Sequence, residues 1–367
     1  VNRSPLRRAA LPAALLLSLS LAACSGANES ATPAPGGSSA AETLSGELSG
    51  AGASTQTAAQ TAWAAGFGAT NPDVQVNYNP AGSSAGREQF LSGATDFGGS
   101  DAVLDDEELT QGQERCTGGN AMDLPVYISP IAIVYNLEGV DDLQLSAPTL
   151  ANIFLGKITT WNDPAIVADN PQAQLPAGPI TPVHRSDGSG TTENFTDYLF
   201  DVAPDVWTAE PDSDWPLQTG ESAQGTSGII QAVTGAAGSI GYADLSQAGD
   251  LSKASIKVGD AYVAPSAEGA AALVDASPEA EGRPEGDIAI ELDHKTTAAG
   301  AYPLALVSYA LVCSAYEDAA QGALVKAYLE YVVSEEGQQA AAKSAGSAPI
   351  SATLRTQITE SLNRIGA

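Results

Sequence analysis

The sequence predicts an α/β architecture divided into two lobes. Short β-rich runs alternate with helical runs along most of the 367 residues, the pattern of mixed α/β layers. Two apolar, proline-marked β runs, residues 124–135 and 302–312, are too long for average strands and suit segments that pass between lobes. Separate segments also repeat one grammar of strand, Gly/Ser/Thr loop and helix. In open α/β folds, ligands sit beyond the carboxyl ends of strands, where such loops gather.

The chain opens with Arg3, Arg7 and Arg8 before the apolar run 11–21, followed by Ala22, Ala23 and Cys24. A basic start, a short apolar core and small residues before a cut form an export signal. Ending on cysteine, residues 1–23 read as a lipoprotein signal peptide with Cys24 as the lipidated first residue. Residues 24–46, rich in Ser, Ala, Pro and Gly, read as a flexible tether with a reach of roughly 25 Å.

Gly50, Gly52, Ser54 and Thr55 then precede a helical pattern on Ala59, Ala62, Trp63 and Phe67. Val74, Val76 and Tyr78 alternate like a half-buried strand and lead into Gly82, Ser83 and Ser84, with helix formers up to Phe90 and Leu91. Phe97 to Asp101 is a short apolar stretch ending on an aspartate. After the first crossing run, residues 150–154, 228–233 and 267–274 read as helices and 238–242 as a strand. Trp161, Trp207 and Trp215 read as packing anchors. Beyond the second crossing run, residues 321–334 form an amphipathic helix with Leu324, Ala327, Tyr328 and Tyr331 on one face, and residues 352–365 a last helix.

The most informative stretch is 184–195. A β run at 180–184 and a helix face on Phe195, Tyr198 and Leu199 flank Arg185, Asp187, Ser189, Gly190 and Thr191. A Gly-Ser-Gly-Thr turn feeding a helix leaves the first N–H groups unpaired at the positive end of the helix dipole, a site for an anion. Arg185 adds a forked cationic donor, and Asp187 is placed to hold it. Taken alone, a polar loop with a surface ion pair reads the same way; convergence with the other glycine loops favours one small oxyanion.

The formal net charge is −29, and removal of residues 1–23 with their arginines makes the chain more acidic still. This excludes nucleic acid and electrostatic docking on anionic lipid. It does not exclude a small anion, because screening acts over roughly 8 Å and distant carboxylates do not reach a closed cleft. With only His184 and His294 available, no spacing resembles a metal site. If Cys24 carries lipid, Cys116 and Cys313 are an even pair in an oxidising compartment and read as a disulfide, with two free buried thiols as the other reading. The apolar fraction of 43% is adequate for two packed domains.

A rival reading is enzymatic. Gly82 to Gly86 fits the G-x-S-x-G nucleophile elbow with Ser84 central, and His184 follows later. That reading leaves the other loops without a role, and a phosphatase would lack metal ligands or an activated nucleophile. A surface adhesin or sensor retaining a binding fold is a third class.

Taken together, Gly50–Thr55, Asn77 and Tyr78 with Gly82, Ser83 and Ser84, the run 96–101, the run 185–191, the run 158–164 (Ile-Thr-Thr-Trp-Asn-Asp-Pro) and the run 238–242 resemble, in order, the phosphate-binding protein of bacterial phosphate ABC importers. The resemblance covers the chain from about Leu48 almost to its end. It implies a type II, Venus-flytrap periplasmic-binding-protein fold with two crossover segments, lobe 1 from 47–126 and 301–367, and lobe 2 from 127–300. It implies inorganic phosphate in the cleft, no cofactor and no catalysis, a permease partner, a monomer, and a lipid-anchored position on the outer face of the cytoplasmic membrane. It carries over Ser54, Thr55, Ser83, Asp101, Arg185, Ser189, Gly190 and Thr191 as phosphate contacts, with Asp187 behind Arg185. Thr55 departs from the family, which often has an aromatic there.

Overall fold

The computed structural model describes residues 44–366; the expected signal peptide, Cys24 and most of the tether lie outside them. The fold begins slightly earlier than expected, with the first strand starting at the last residue assigned to the tether. Gly46 already pairs with Val74, and Leu44 packs on the core.

Strand β1 (Gly46–Gly52) leads through a short 3₁₀ turn at Ser54–Gln56 into helix α1 (Thr57–Thr70). Strand β2 (Val74–Asn79), helix α2 (Ser83–Leu91) and strand β3 (Phe97–Ser100) follow, and β1 pairs in parallel with both β2 and β3. Parallel pairing requires crossovers, and both are supplied by the helices foreseen from periodicity. Helix α3 (Asp106–Arg115) was not foreseen, although Asp105 and Glu108 close a capping box at its start.

Strand β4 (Ala121–Tyr135) is the first crossing segment, buried at every position. Lobe 2 then builds from β5 (Gln144–Leu145), α4 (Ala147–Phe154), α5 (Pro164–Asp169), β6 (Thr181–Arg185) and α6 (Gly190–Val202). It continues with β7 (Glu221–Ala223), α7 (Gly225–Gly235), β8 (Ser239–Asp244), β9 (Ser252–Lys253), β10 (Ser255–Val258), β11 (Ala261–Val263) and α8 (Ala267–Ala276). Strand β12 (Ala305–Cys313), also buried throughout, returns to lobe 1, where α9 (Ala319–Val333), α10 (Glu335–Ala345) and α11 (Ala352–Leu362) complete the chain.

One sheet runs β2-β1-β3-β12-β4-β8-β6-β7, with β9 also on β4, and β11-β10-β5 form a small second sheet. Two antiparallel crossing strands, β4 and β12, therefore join the two parallel halves. Their register slips between Ser308 and Tyr309, which face Tyr127 and Pro125. Such a bulge re-aims side chains locally, and it falls at Ser308, directly under the cleft.

Trp63, Phe90, Phe97 and Tyr328 are buried in lobe 1, and Phe154, Phe195, Trp207 and Tyr242 in lobe 2. Trp161 and Trp207 are the packing anchors expected of them; Trp215, half-buried, stacks on His184 with ring centroids 4.9 Å apart. Cys116 and Cys313 form a disulfide with Cα atoms 5.1 Å apart, tying the end of α3 to the end of β12. The loop around Arg283 lies within 127–300 yet is pinned to the other lobe's Asp123, 2.6 Å from Arg283 Nη2. Helix α10, the small sheet, and the end of α11 at Leu362 rather than Ile365 were not read from sequence. No helix among the described residues is long and apolar enough to cross a membrane.

Candidate functional site

Lobe 1 contributes three loop ends. Gly52 has φ +148°, and a Cβ there would lie 1.8 Å from Gly99 O; only glycine lets β1 and β3 end so close together. From that point the chain turns at Ser54 and Thr55, both buried. Gly82, with φ +101°, precedes α2, and its own absent Cβ would stand 2.8 Å from Asp187 Oδ2 of the opposite lobe. Ser83, the first residue of α2, accepts the Asp101 N–H at 3.1 Å. Asp101 follows β3 and is 3% exposed.

Lobe 2 contributes the glycine-rich helix starts. Ser189 caps α6 by accepting the Thr192 N–H at 3.3 Å. Gly190 is pressed against lobe 1, where a Cβ would meet Asp101 Cβ at 2.7 Å. Arg185 ends β6, and its Nε and Nη2 donate to Asp187 Oδ1 and Oδ2 at 2.7 and 2.5 Å, a bidentate fork of the kind that fixes a guanidinium in one plane. Asp187 also accepts the Gly225 N–H at 2.9 Å. Tyr242 steadies the backbone by accepting the Arg185 N–H at 3.2 Å, with Thr192 Oγ1 2.8 Å from its hydroxyl.

The two halves meet at Asp101. Thr55 Oγ1 and Ser308 Oγ donate to Oδ1 at 2.7 and 2.6 Å, and Thr191 Oγ1 donates to Oδ2 at 3.0 Å. Burial raises the Asp101 pKa, and these hydroxyls together with the Arg185 charge act against it. Burial also works to raise Asp187, but its bonds and proximity to Arg185 outweigh that and hold its pKa below the ordinary carboxylate value. At Thr55, where the family resemblance leads one to expect an aromatic ring, this chain has a hydroxyl donor on Asp101.

Of the candidate residues, Thr55, Ser83, Asp101, Gly190 and Thr191 thus form one contact set, with the Arg185–Asp187 fork beside it. Ser54 stands at the rim, where its Oγ lies 3.0 Å from Thr226 Oγ1 and its carbonyl accepts from Gln247 Nε2 at 2.9 Å. Ser308, Thr226 and Gln247 were missed. Ser308 is a lone hydroxyl in an apolar run, and Thr226 lies in a Gly-Thr-Ser-Gly start to α7, the same grammar as the other loops; both signals were present. Ser84 and His184 do not form a catalytic pair: Ser84 Oγ donates to Ser213 at 3.0 Å, whereas His184 Nδ1 lies 2.8 Å from Arg185 O and its ring stacks on Trp215. Among the described residues, no group of three or more His, Cys, Asp or Glu side chains is gathered to hold a metal.

Comparison with known proteins agrees with this arrangement. Residues 37–336 match the family model described as a PBP superfamily domain. The phosphate-binding protein PstS 3 of Mycobacterium leprae is 37% identical over 330 residues, covering 87% of this chain and 86% of that protein. The high-affinity periplasmic phosphate-binding protein PfluDING, solved bound with phosphate, superposes with TM-score 0.69 at 20% identity over 86% of this chain and 93% of that one. A putative phosphate ABC transporter substrate-binding protein with bound phosphate from Clostridium perfringens gives TM-score 0.57 at 22% identity, over 82% and 98% of the two chains. Two lobes, two crossing strands and relatedness over most of its length establish that the chain belongs to the PBP superfamily, in the family of the PstS phosphate-binding proteins.

Proposed function

We propose that this chain captures inorganic phosphate in the cleft between its lobes and delivers it to the permease of an ABC importer, without covalent chemistry and without a cofactor. The observation that carries the reading is Asp101: a carboxylate 3% exposed, held by hydroxyls of both lobes beside a fixed guanidinium. Helix-start N–H groups and Arg185 suit an anion, but a carboxylate facing that anion is costly unless the anion brings a proton to share. Phosphate carries one near neutral pH and sulfate does not, so the site rejects sulfate through two opposed acceptors.

In this reading Thr55, Ser83, Ser189, Gly190 and Thr191 surround the ligand with N–H and hydroxyl groups, Arg185 pairs with its charge, and Ser54 closes the rim against Thr226. Lobe 1 comprises 47–126 and 301–367, lobe 2 comprises 127–300, and the lobes hinge about the crossing strands, with ligand favouring the closed form. The protein works as a monomer, exported and held by lipid on Cys24 at the outer face of the cytoplasmic membrane. Titration calorimetry on the mature chain tests the reading: one phosphate binds per chain, excess sulfate leaves the isotherm unchanged, and an ester substrate is not hydrolysed. Absence of phosphate binding, or equal competition by sulfate, overturns it.

A further inference from the structure

Behind Asp101, the core of lobe 1 holds a line of polar side chains that an apolar core does not need. Tyr328 OH donates to Gln60 Oε1 at 2.7 Å, and Gln60 Nε2 donates to Gln56 Oε1 at 2.8 Å. Gln56 Nε2 in turn donates to Ser308 Oγ at 2.7 Å and to Tyr309 O at 3.1 Å. Ser308 Oγ then donates to Asp101 Oδ1 at 2.6 Å. Tyr328, Gln56 and Ser308 are fully buried, and Gln60 is 4% exposed, so every partner must be found inside the protein.

The direction of this line is fixed by chemistry. An amide nitrogen only donates and an amide oxygen only accepts. The Tyr309 carbonyl, 3.1 Å from Gln56, also only accepts, so it must face the Gln56 NH₂, and that orients Gln56. Gln56 Oε1 then accepts from Gln60, whose own Oε1 is left to take the Tyr328 hydroxyl hydrogen, and the second Gln56 hydrogen occupies the Ser308 oxygen. The single Ser308 hydrogen must therefore leave in another direction. Asp101 Oδ1 at 2.6 Å is far better placed to take it than Ser100 O at 3.4 Å. The bulge between Ser308 and Tyr309 brings the hydroxyl and the Tyr309 carbonyl to the same amide.

We propose that Gln56 is a positioning residue for ligand selectivity: oriented by the Tyr309 carbonyl within the line that runs in from Tyr328 and Gln60, it obliges Ser308 to donate to Asp101 and so keeps Asp101 a charged acceptor. The proposal deepens the phosphate reading and depends on it. A carboxylate that is never allowed to become a donor welcomes an oxyanion bearing a proton and repels one that does not. The ionisable groups around Asp101 are Arg185 with Asp187, Asp244 at the end of β8, Tyr78 at the end of β2, and Glu193 and Asp197 of α6 across a cavity of about 300 Å³ that Asp101 also lines. Arg185 is the cation among them, and the hydroxyl donors supply the rest of the stabilisation of the charged form.

The test is to reverse the line without touching the site. In Gln60→Glu the new carboxylate still accepts from Tyr328 but has nothing to donate, so Gln56 gives up its bond to the Tyr309 carbonyl for a charge-assisted one, turning its NH₂ towards the carboxylate and its Oε1 towards Ser308. Ser308 then donates to Gln56, and Asp101 loses one of the three hydroxyl donors that favour its charged form. Gln60→Met interrupts the line but leaves the Gln56 donation to Ser308 in place. Titration calorimetry with inorganic phosphate and with sulfate is run on wild type and both variants at about pH 6 and about pH 8, with melting temperatures recorded alongside.

The expected result is that Gln60→Glu narrows the phosphate-to-sulfate preference by about 10- to 100-fold, the value of one hydrogen bond to a charged group, and more at the lower pH. Gln60→Met keeps the wild-type preference. Should Gln60→Glu not fold, Ser308→Ala removes the last link directly and must show the same narrowing, with Ser308→Thr restoring it. A preference that is unchanged in Gln60→Glu and Ser308→Ala, or one lost equally in Gln60→Met, overturns the proposal while wild-type phosphate binding stands. Failure of wild type to prefer phosphate overturns the functional reading instead.

Discussion

Replacing Arg185 by alanine tests the centre of the site. Its side chain is 2% exposed and that of Asp187 15%, so the substitution leaves a largely buried carboxylate whose remaining partner is the Gly225 N–H. Breaking one side of a buried pair costs about 3–5 kcal/mol; the residual exposure of Asp187 places this case near the lower figure. For a protein of this size that corresponds to a fall in Tm of about 4–5 °C. Binding suffers separately, because each charge-assisted bond lost to the anion is worth about 1.5–3 kcal/mol, or about 10- to 100-fold in Kd.

The pH dependence follows from Asp187, whose pKa in the folded protein lies below its ordinary value. Its contribution to wild-type stability is present above the unfolded carboxylate pKa and disappears as pH falls through the lowered folded value. The Tm gap between wild type and Arg185→Ala therefore narrows in acid. Calorimetric melting and phosphate titration of Arg185→Ala and of the double variant Arg185→Ala/Asp187→Ala separate the two effects: the double variant regains most of the lost Tm and none of the lost affinity. If Arg185→Ala binds phosphate as wild type does, or if the double variant recovers affinity, Arg185 is not a ligand contact.

Gly190→Ala puts a Cβ 2.7 Å from Asp101 Cβ and 2.8 Å from Ala102 N, across the lobe boundary. It is expected to lower phosphate affinity by at least about tenfold while leaving ligand-free stability within about 0.5 kcal/mol, and X-ray scattering should show incomplete compaction with phosphate. Asp244 is buried and its pKa is pushed up to about 6, chiefly by that burial, with the nearby Asp101 charge adding to it. A raised carboxylate pKa means that stability falls as pH climbs from the unfolded value through about 6. Asp244→Asn should thus stabilise the protein near neutral pH by about 1–3 kcal/mol, with no gain below about pH 4; a gain independent of pH would refute this. Non-reducing peptide mapping should find Cys116 joined to Cys313, and reduction should cost about 2–5 kcal/mol; two alkylatable thiols would contradict the structure.

The loops were legible because glycine, serine and threonine leave a local mark wherever a strand must turn sharply into a helix. Gly52, Gly82, Ser189 and Gly190 announced themselves for that reason. Gln56 and Ser308 did not: a buried polar side chain in an apolar context gains its meaning from a partner far along the chain, and Ser308 meets Asp101 across 207 residues. Thr226 is a different failure. Its Gly-Thr-Ser-Gly setting was left outside the helix read at 228–233, which the structure starts at Gly225, although the same grammar elsewhere was taken for an anion loop. The small sheet escaped because β5 is two residues, β11 three and β10 four, too short for alternation to register. Helix α3 escaped for want of an apolar stripe: Gly112 is its one buried residue, and its capping pair was the signal to use.

A chain with net charge −29 is an unpromising receptor for an anion, and the site gains little from full charges. Arg185 is matched by Asp187, and Asp101 and Asp244 add two more carboxylates whose pKa values burial raises. What remains on the positive side are fixed dipoles: the starts of α1, α2, α6 and α7 all come to the cleft, each carrying up to about half a positive charge on N–H groups that have no partner within the helix. Dipoles of this kind act at short range, need no counter-ion and do not move when the ligand arrives. On the proposed reading they hold a tetrahedral oxyanion by geometry, which leaves the choice among oxyanions to the one group that tests for a proton. That division of labour explains why so many buried hydroxyls are spent on the Asp101 carboxylate and none on the Arg185 guanidinium. The cation needs only to be held in place, whereas the acceptor must be kept from changing its protonation state.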